Sequence, residues 1–336
     1  MFVVDSYPLA VVLCVVTMFC WGSWANTQKA TGDNWRFELF YWDYVFGVVL
    51  MSLVFAFTLG SIGEGGRSFM DDVQQAEAGN MGSAMLGGVV FNLANILLVA
   101  AIELVGMSVA FPIGIGCALI VGVAVSYYLD PQGSAGLLAV GVGFILGAII
   151  LDALAYRRIP GQGASVSSKG LILCLACGLL MGMFYPLVAR SMSATSDNPM
   201  VLDPGKLSPY TAVVFFSLGV LLSNLVFNPI IMAKPFAGEP VGLREYLAGT
   251  SWQHTLGVIG GMIWCVGMTL SILAATKAGP AISYGLGQCA TMIAAIWGVF
   301  IWREFRTASK GTGLLLTAMF ACFAIGIWVL VMAKGA

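Results

Sequence analysis

Apolar residues along this chain come in long runs, separated by short stretches that hold most of the charge. Each run continues for about twenty residues without period-two alternation, which is the pattern of a bilayer-spanning helix rather than a strand. Ten runs result: Pro8–Gln28, Leu39–Gly60, Ser83–Leu104, Met107–Leu129, Ala135–Tyr156, Gly170–Ser191, Pro209–Ala233, Thr255–Thr276, Pro280–Trp302 and Gly313–Ala333. Backbone in hydrocarbon must pair its own polar groups, so each run is expected to be a helix. The first run is long enough to span, and Asp5 precedes it without any Lys or Arg, so no cleavable signal peptide is expected.

Composition narrows the class. The chain has 336 residues, is 59% apolar and 9% charged, and has a mean hydropathy of +0.93. A soluble enzyme carries roughly 25% charged residues. Lys+Arg 15 against Asp+Glu 16 leaves no basic surplus for nucleic acid. The 42 glycines suit a bundle whose helices approach closely, as small residues permit in membranes. The reading is an all-α polytopic membrane protein of ten transmembrane helices, with lipid as its surroundings.

Loop charge sets the orientation. With the N-terminus outside, the inner side holds Lys29, Arg36, Arg157, Arg158, Lys169, Lys234, Arg244, Arg303, Arg306 and Lys310. The outer side holds Arg67, Arg190, Lys206, Lys277 and Lys334. That asymmetry places both termini outside, in a plasma or bacterial inner membrane.

The chain also reads as duplicated. Gly106-Met-Ser-Val-Ala-Phe-Pro-Ile-Gly-Ile-Gly-Cys-Ala118 parallels Gly279-Pro-Ala-Ile-Ser-Tyr-Gly-Leu-Gly-Gln-Cys-Ala290. An odd number of spans per copy makes the copies inverted, an arrangement suited to alternating access around a midplane site. The expected organisation is one five-helix repeat over 1–156, a cytoplasmic linker over 157–169, and a second five-helix repeat over 170–336. Chance likeness between two glycine-rich helices is the competing explanation.

Candidate chemistry is sparse. All eight cysteines, the Cys174-x-x-Cys177 pair included, lie in apolar runs and read as small buried hydrophobes. His254 is the single histidine, so no metal site, catalytic triad or cofactor is expected. On the third run, Asn92 and Asn95 share a face, and Glu103 returns within about 20° of Asn92. Such a stripe avoids lipid, and it faces either a cavity or a neighbouring helix. Trp21, three residues before Trp24, and Tyr185 on the sixth run offer aromatic faces for a flat solute, or an interfacial belt. Tyr284, Gln288 and Thr291 share a face of the ninth run. The expected substrate-binding set is Trp21, Asn92, Asn95, Tyr185, Tyr284 and Gln288. Asp43 and Glu103 are the acids expected to couple protons, because a carboxyl set into a bundle holds its proton more tightly. Asp152, close in sequence to Arg157 and Arg158, reads better as a structural ion pair.

The residues resemble a known superfamily, the drug/metabolite transporters, and within it the ureide permeases. Trp42-Asp43-Tyr44, Ala56-Phe57-Thr58-Leu59-Gly60-Ser61-Ile62-Gly63, Tyr127-Tyr128-Leu129-Asp130, Leu207-Ser208-Pro209-Tyr210-Thr211-Ala212 and Asn228-Pro229 carry that likeness. Trp21-Gly22-Ser23 is similar to the glucose/ribose porter group, and Asn95 with Gly106-Met107-Ser108 is similar to the rhamnose–proton symporter. The resemblance implies uptake of a ureide, nucleobase or sugar by proton symport. One departure stands out. Plant ureide permeases carry a long central loop with a nucleotide-binding-like motif, whereas this chain has only Arg157 to Lys169, without a P-loop ending. The expected function is therefore secondary transport of a small neutral polar solute, with protons as partner. Export of metabolites or drugs, and a receptor that transports nothing, remain the alternatives.

Overall fold

The computed structural model describes residues 1–32, 34–160, 168–193, 201–236 and 238–335. Most of the expected 157–169 linker lies outside the described residues. Among the described residues, ten helices are long and apolar enough to cross a membrane: α1 Tyr7–Lys29, α2 Phe37–Phe57, α3 Ala78–Val105, α4 Ser108–Leu129, α5 Ala135–Tyr156, α6 Ser168–Ala189, α7 Pro209–Ala233, α8 Ser251–Ala278, α9 Pro280–Ile301 and α10 Thr312–Gly335. The protein is an all-α polytopic membrane protein.

Local chemistry sets the helix ends. Ser134 and Ser208 accept hydrogen bonds from the amides of Leu137 and Thr211, and Thr250 forms a reciprocal cap with Gln253. These side chains satisfy amides that lack partners in the first turn. Gly106 closes α3 at φ 72° and Gly279 closes α8 at φ 93°. Only glycine adopts that backbone without strain, so both helices stop where Gly is placed.

Three spans depart from the regular helices expected. The α1 span turns at Trp24 between Tyr7–Ser23 and Ala25–Lys29. The α4 span carries a π-helical turn over Phe111–Ile115, which accommodates Pro112. The α9 span breaks at Cys289, whose ψ is 0°, and widens to a π turn over Trp297–Ile301. Such interruptions leave α-helical geometry only where surrounding helices re-pair the backbone.

Glycines bring the helices together backbone to backbone, and the contacts come in matching pairs. A Cβ on Gly88 of α3 would lie 2.0 Å from the Phe216 carbonyl oxygen of α7. One on Gly261 of α8 would lie 1.9 Å from that of Tyr44 on α2. Gly219 likewise meets Met85, and Gly47 meets Val258. Gly22 of α1 approaches α9 at Ala290, and Gly182 of α6 approaches α4 at Val121.

Both termini lie at one end of the bundle. The Met1 amino group donates to the Gly65 carbonyl at 2.6 Å, and Ser134 N donates to Ala333 O at 2.8 Å. Arg67 joins Asp72 at 2.9 Å and reaches the Leu202 carbonyl at that same end. The other end carries the Lys29–Glu304 pair at 2.7 Å and the Arg36–Glu38 pair.

Candidate functional site

A cavity of about 320 Å³ enters the bundle from the end that carries Lys29 and Arg36. Helices α1, α2, α3, α4, α6, α8 and α9 supply its wall. The wall is mainly aromatic, with Trp21, Trp24, Phe37, Phe91, Phe184 and Trp264. Trp21 stacks on Trp264 with ring centroids 5.9 Å apart and planes 16° apart, and its Nε1 donates to the Trp264 carbonyl at 3.2 Å. Phe216 backs Trp264 from outside the cavity at 5.7 Å. These contacts fix the indole faces before any solute arrives.

Few polar side chains reach the same space: Gln28, Asn95, Gln288 and Thr291. Asn95 is pinned, because its Nδ2 donates to the buried Tyr41 hydroxyl at 3.2 Å. Gln288 is the last residue before the α9 break, and Thr291 donates to its carbonyl at 3.0 Å. An apolar cavity with a few fixed amides is the usual make-up of a small-molecule site.

The expected site residues fall in two groups. Trp21, Asn95 and Gln288 line the cavity. Asn92, Tyr185 and Tyr284 do not. Asn92 is fully buried and faces α7, donating to Ser223 Oγ at 2.9 Å. Three residues of α-helix separate it from Asn95 by about 60° in direction, enough to turn it from cavity to neighbour. Tyr284 is wedged between α4 and α6, its hydroxyl 3.1 Å from the Met181 carbonyl and 3.3 Å from that of Ala118. Tyr185 bonds to Ser271 and Ser283, deeper in the bundle. Trp264 and Phe91 complete the wall, and no polar pattern marks them in the sequence.

A wider vestibule of about 910 Å³ precedes the cavity and is lined by Lys29, Arg36, Glu38, Glu103 and Glu239. Glu103 is exposed there, while Glu38 is tied to Arg36. Asp43 lies elsewhere on the same end, 4% exposed. It accepts from the Tyr246 hydroxyl at 2.7 Å, and its other oxygen is 2.8 Å from His254 Nδ1. Trp35 meets the His254 ring edge-on at 5.3 Å. Burial, with the Asp43 carboxylate beside it, raises the Tyr246 phenol above its ordinary range. The expected pairing of Asp152 with Arg157 and Arg158 is replaced by a setting of Tyr156 and Glu304, which bond to each other at 2.9 Å. Arg158 instead reaches the Lys310 carbonyl.

At the opposite end a second pocket, about 260 Å³, is lined in part by Ser126, Asp130, Arg190, Lys206 and Thr276. It does not join the first among the described residues.

Ten spans around a solute-sized cavity, reached from one end, have the make-up of a membrane transporter. A family model described as ureide permease matches residues 40–160 and 162–334, and the chain belongs to that family. It is an integral membrane permease rather than an enzyme. Ureide permease 4 of Arabidopsis thaliana is 25% identical, over 100% of this chain and 99% of its own length. A putative sugar uptake protein of Streptococcus agalactiae is 22% identical, over 96% and 98%. A solved crystal structure shares the fold at a TM-score of 0.61 and 15% identity, covering 98% of this chain and 99% of that one.

Proposed function

We propose that the chain takes up a small, neutral, flat polar solute, a ureide or nucleobase or else a sugar, by alternating access coupled to protons. The observation that carries this reading is the pairing of the Asn95 and Gln288 amides with the Trp21–Trp264 wall in one cavity. Amides offer both donors and acceptors, and indole faces stack on planar rings as well as on sugar rings. The cavity volume is at the small end for ligand sites, which suits a solute of one or two rings. No charged side chain reaches the cavity wall among the described residues, which favours a neutral cargo. The two families of relatives support ureide and sugar respectively.

The alternating step rests on two inverted five-helix units, 1–156 and 170–336, joined by the 157–169 linker. The matching glycine contacts support it, since Gly88 on Phe216 and Gly219 on Met85 have counterparts in Gly261 on Tyr44 and Gly47 on Val258. With both termini outside, the cavity opens to the cytoplasm, so this conformation is the releasing one. Asp43 and Glu103 carry the coupling proton. Glu103 has access through the vestibule, whereas Asp43 acts through its bonds to His254 and Tyr246.

The test is a thermal-shift screen of allantoin, uracil, xanthine and several monosaccharides, followed by uptake into proteoliposomes under an imposed pH gradient. A planar ureide or nucleobase that raises Tm and accumulates only with the gradient supports the reading. Stabilisation by monosaccharides alone moves the cargo to sugars, and accumulation of a hit without any gradient removes proton symport.

A further inference from the structure

Between the cavity and the opposite pocket, the spans carry a buried cluster of hydroxyls. On α8, Trp264 lines the cavity and Thr276 the opposite pocket, with Ser271 between them. On α9, Gln288 lines the cavity and Pro280 the pocket, with Ser283 between. On α6, Phe184 and Pro186 stand on either side of Tyr185 in the same way. The Tyr185 hydroxyl lies 3.1 Å from both the carbonyl and the hydroxyl of Ser271, and 3.3 Å from the Ser283 hydroxyl. Ser283 donates to the Ser271 carbonyl at 2.7 Å, and Cys14 of α1 adds its thiol at 3.6 Å. Tyr185, Ser271 and Ser283 are each 0% exposed.

We propose that Tyr185, Ser271 and Ser283 form the outer gate and that, when the bundle opens outward, they become the wall that first holds the solute. The proposal rests on the inverted-unit reading above and adds residues and a chemistry to it. The two chain reversals at Gly106 and Gly279 set the register between the halves. Counting back eight residues from each gives Leu98 and Ser271, and counting forward five gives Phe111 and Tyr284. Counting three forward from Gly22 and Gly182, the paired glycines of α1 and α6, gives Ala25 and Tyr185. Ala25, Leu98 and Phe111 all line the open cavity. Their counterparts Tyr185, Ser271 and Tyr284 are all buried at the closed end. Exchanging the two halves' conformations therefore closes the first set and uncovers the second, with Ser283 beside Tyr284.

The two sets differ in chemistry. Ala25, Leu98 and Phe111 have no side-chain hydrogen-bonding group, so once the solute has parted from Asn95 and Gln288 they offer it no further partner. The closed set is held by hydroxyls that satisfy one another. Parting them in a partly dry crevice strips those groups of partners, and a solute with its own donors and acceptors replaces what is lost. Outer-gate opening is thereby favoured by cargo that hydrogen-bonds, and the inner path is built for release.

Ser271→Cys and Gln288→Cys, each on a background lacking the native cysteines, would be labelled with a membrane-impermeant thiol reagent applied to the end carrying the termini. Ala25→Trp, or Leu98→Trp should the first not yield monodisperse protein, fills the open path and biases the bundle outward. Ser271→Cys should then label about tenfold faster, the change expected when a state populated at about a tenth becomes dominant. Tyr185→Phe should also speed its labelling, with no tryptophan added, because the gate loses its shared hydroxyl. If Gln288→Cys becomes reachable from that end while Ser271→Cys remains unlabelled in every background, access does alternate but through another route, and this gate is wrong. If Gln288→Cys is reachable only from the opposite end in every background, the alternating-access reading fails and takes the gate with it.

Discussion

Phe91 of α3 and Trp264 of α8 meet in the cavity wall, their ring centroids 4.4 Å apart and their planes 34° apart. The two residues hold the same register relative to the reversals at Gly106 and Gly279. Trp264 is also the hub on which Trp21 and Phe216 stack at 16° and 17°. One side chain thus orients the cavity wall and ties α8 to α1, α3 and α7. Replacing Trp264 by Ala should lower stability by about 3–5 kcal/mol, as for other buried aromatic truncations. It should also weaken solute binding, because Trp21 loses its support. Trp264→Phe should keep most of the stability. Thermal unfolding in detergent measures the first effect, and titration of a hit from the solute screen measures the second.

The amides should separate by face. Asn95→Ala and Gln288→Ala remove hydrogen-bonding groups from the cavity wall and should each raise Kd roughly tenfold, equivalent to 1.4 kcal/mol. Asn92→Ala removes a bond to Ser223 that lies outside the cavity lining. It should leave Kd near wild type and lower stability by about 0.6 kcal/mol, a typical interhelical hydrogen bond in a membrane. Equal loss of affinity in all three variants would contradict this division.

Proton coupling should divide in the same manner. Accumulation should increase as external pH falls. Asp43→Asn or Glu103→Gln should abolish gradient-driven accumulation while sparing counterflow, which needs no net proton movement. Tyr246→Phe and His254→Ala each remove one of the groups that hold Asp43, and should alter the pH profile of uptake without changing equilibrium solute affinity at fixed pH. Retention of accumulation by both carboxyl variants would show that neither acid carries the proton.

Orientation is open to direct labelling. Gly79 of α3 has free space around it at the end that carries the termini, and Lys310 belongs to the opposite end, where Arg158 meets its carbonyl. Gly79→Cys should label from outside intact cells and Lys310→Cys only after permeabilisation. The reverse pattern would invert the membrane orientation and make the cavity outward-facing.

The spans were legible because lipid leaves the backbone one solution, so length and apolarity locate each helix. The cavity lining was legible where an amide interrupts an apolar run, as at Asn95 and Gln288. Helical periodicity alone did not separate Asn95 from Asn92, since cavity and neighbouring helix exclude lipid equally well. Trp264 and Phe91 gave no signal, because an aromatic in an apolar span is common whether or not it faces a solute. The Asp43–His254 pair joins positions far apart in sequence, and only packing of α2 on α8 brings them together. The breaks at Trp24 and Cys289 have neither Gly nor Pro at the break itself, so no local residue announces them.

The glycine contacts carry an evolutionary consequence. Backbone touches backbone at Gly47, Gly88, Gly219 and Gly261, leaving no room for even a methyl group. These four seams use none of Asn95, Gln288 and Trp21, the cavity-lining residues proposed to meet cargo. Mutations that retune the cavity need not disturb those seams, and mutations at the seams have no smaller residue to choose. Such a scaffold lets the residues of the cavity wall change while these four seams stay fixed.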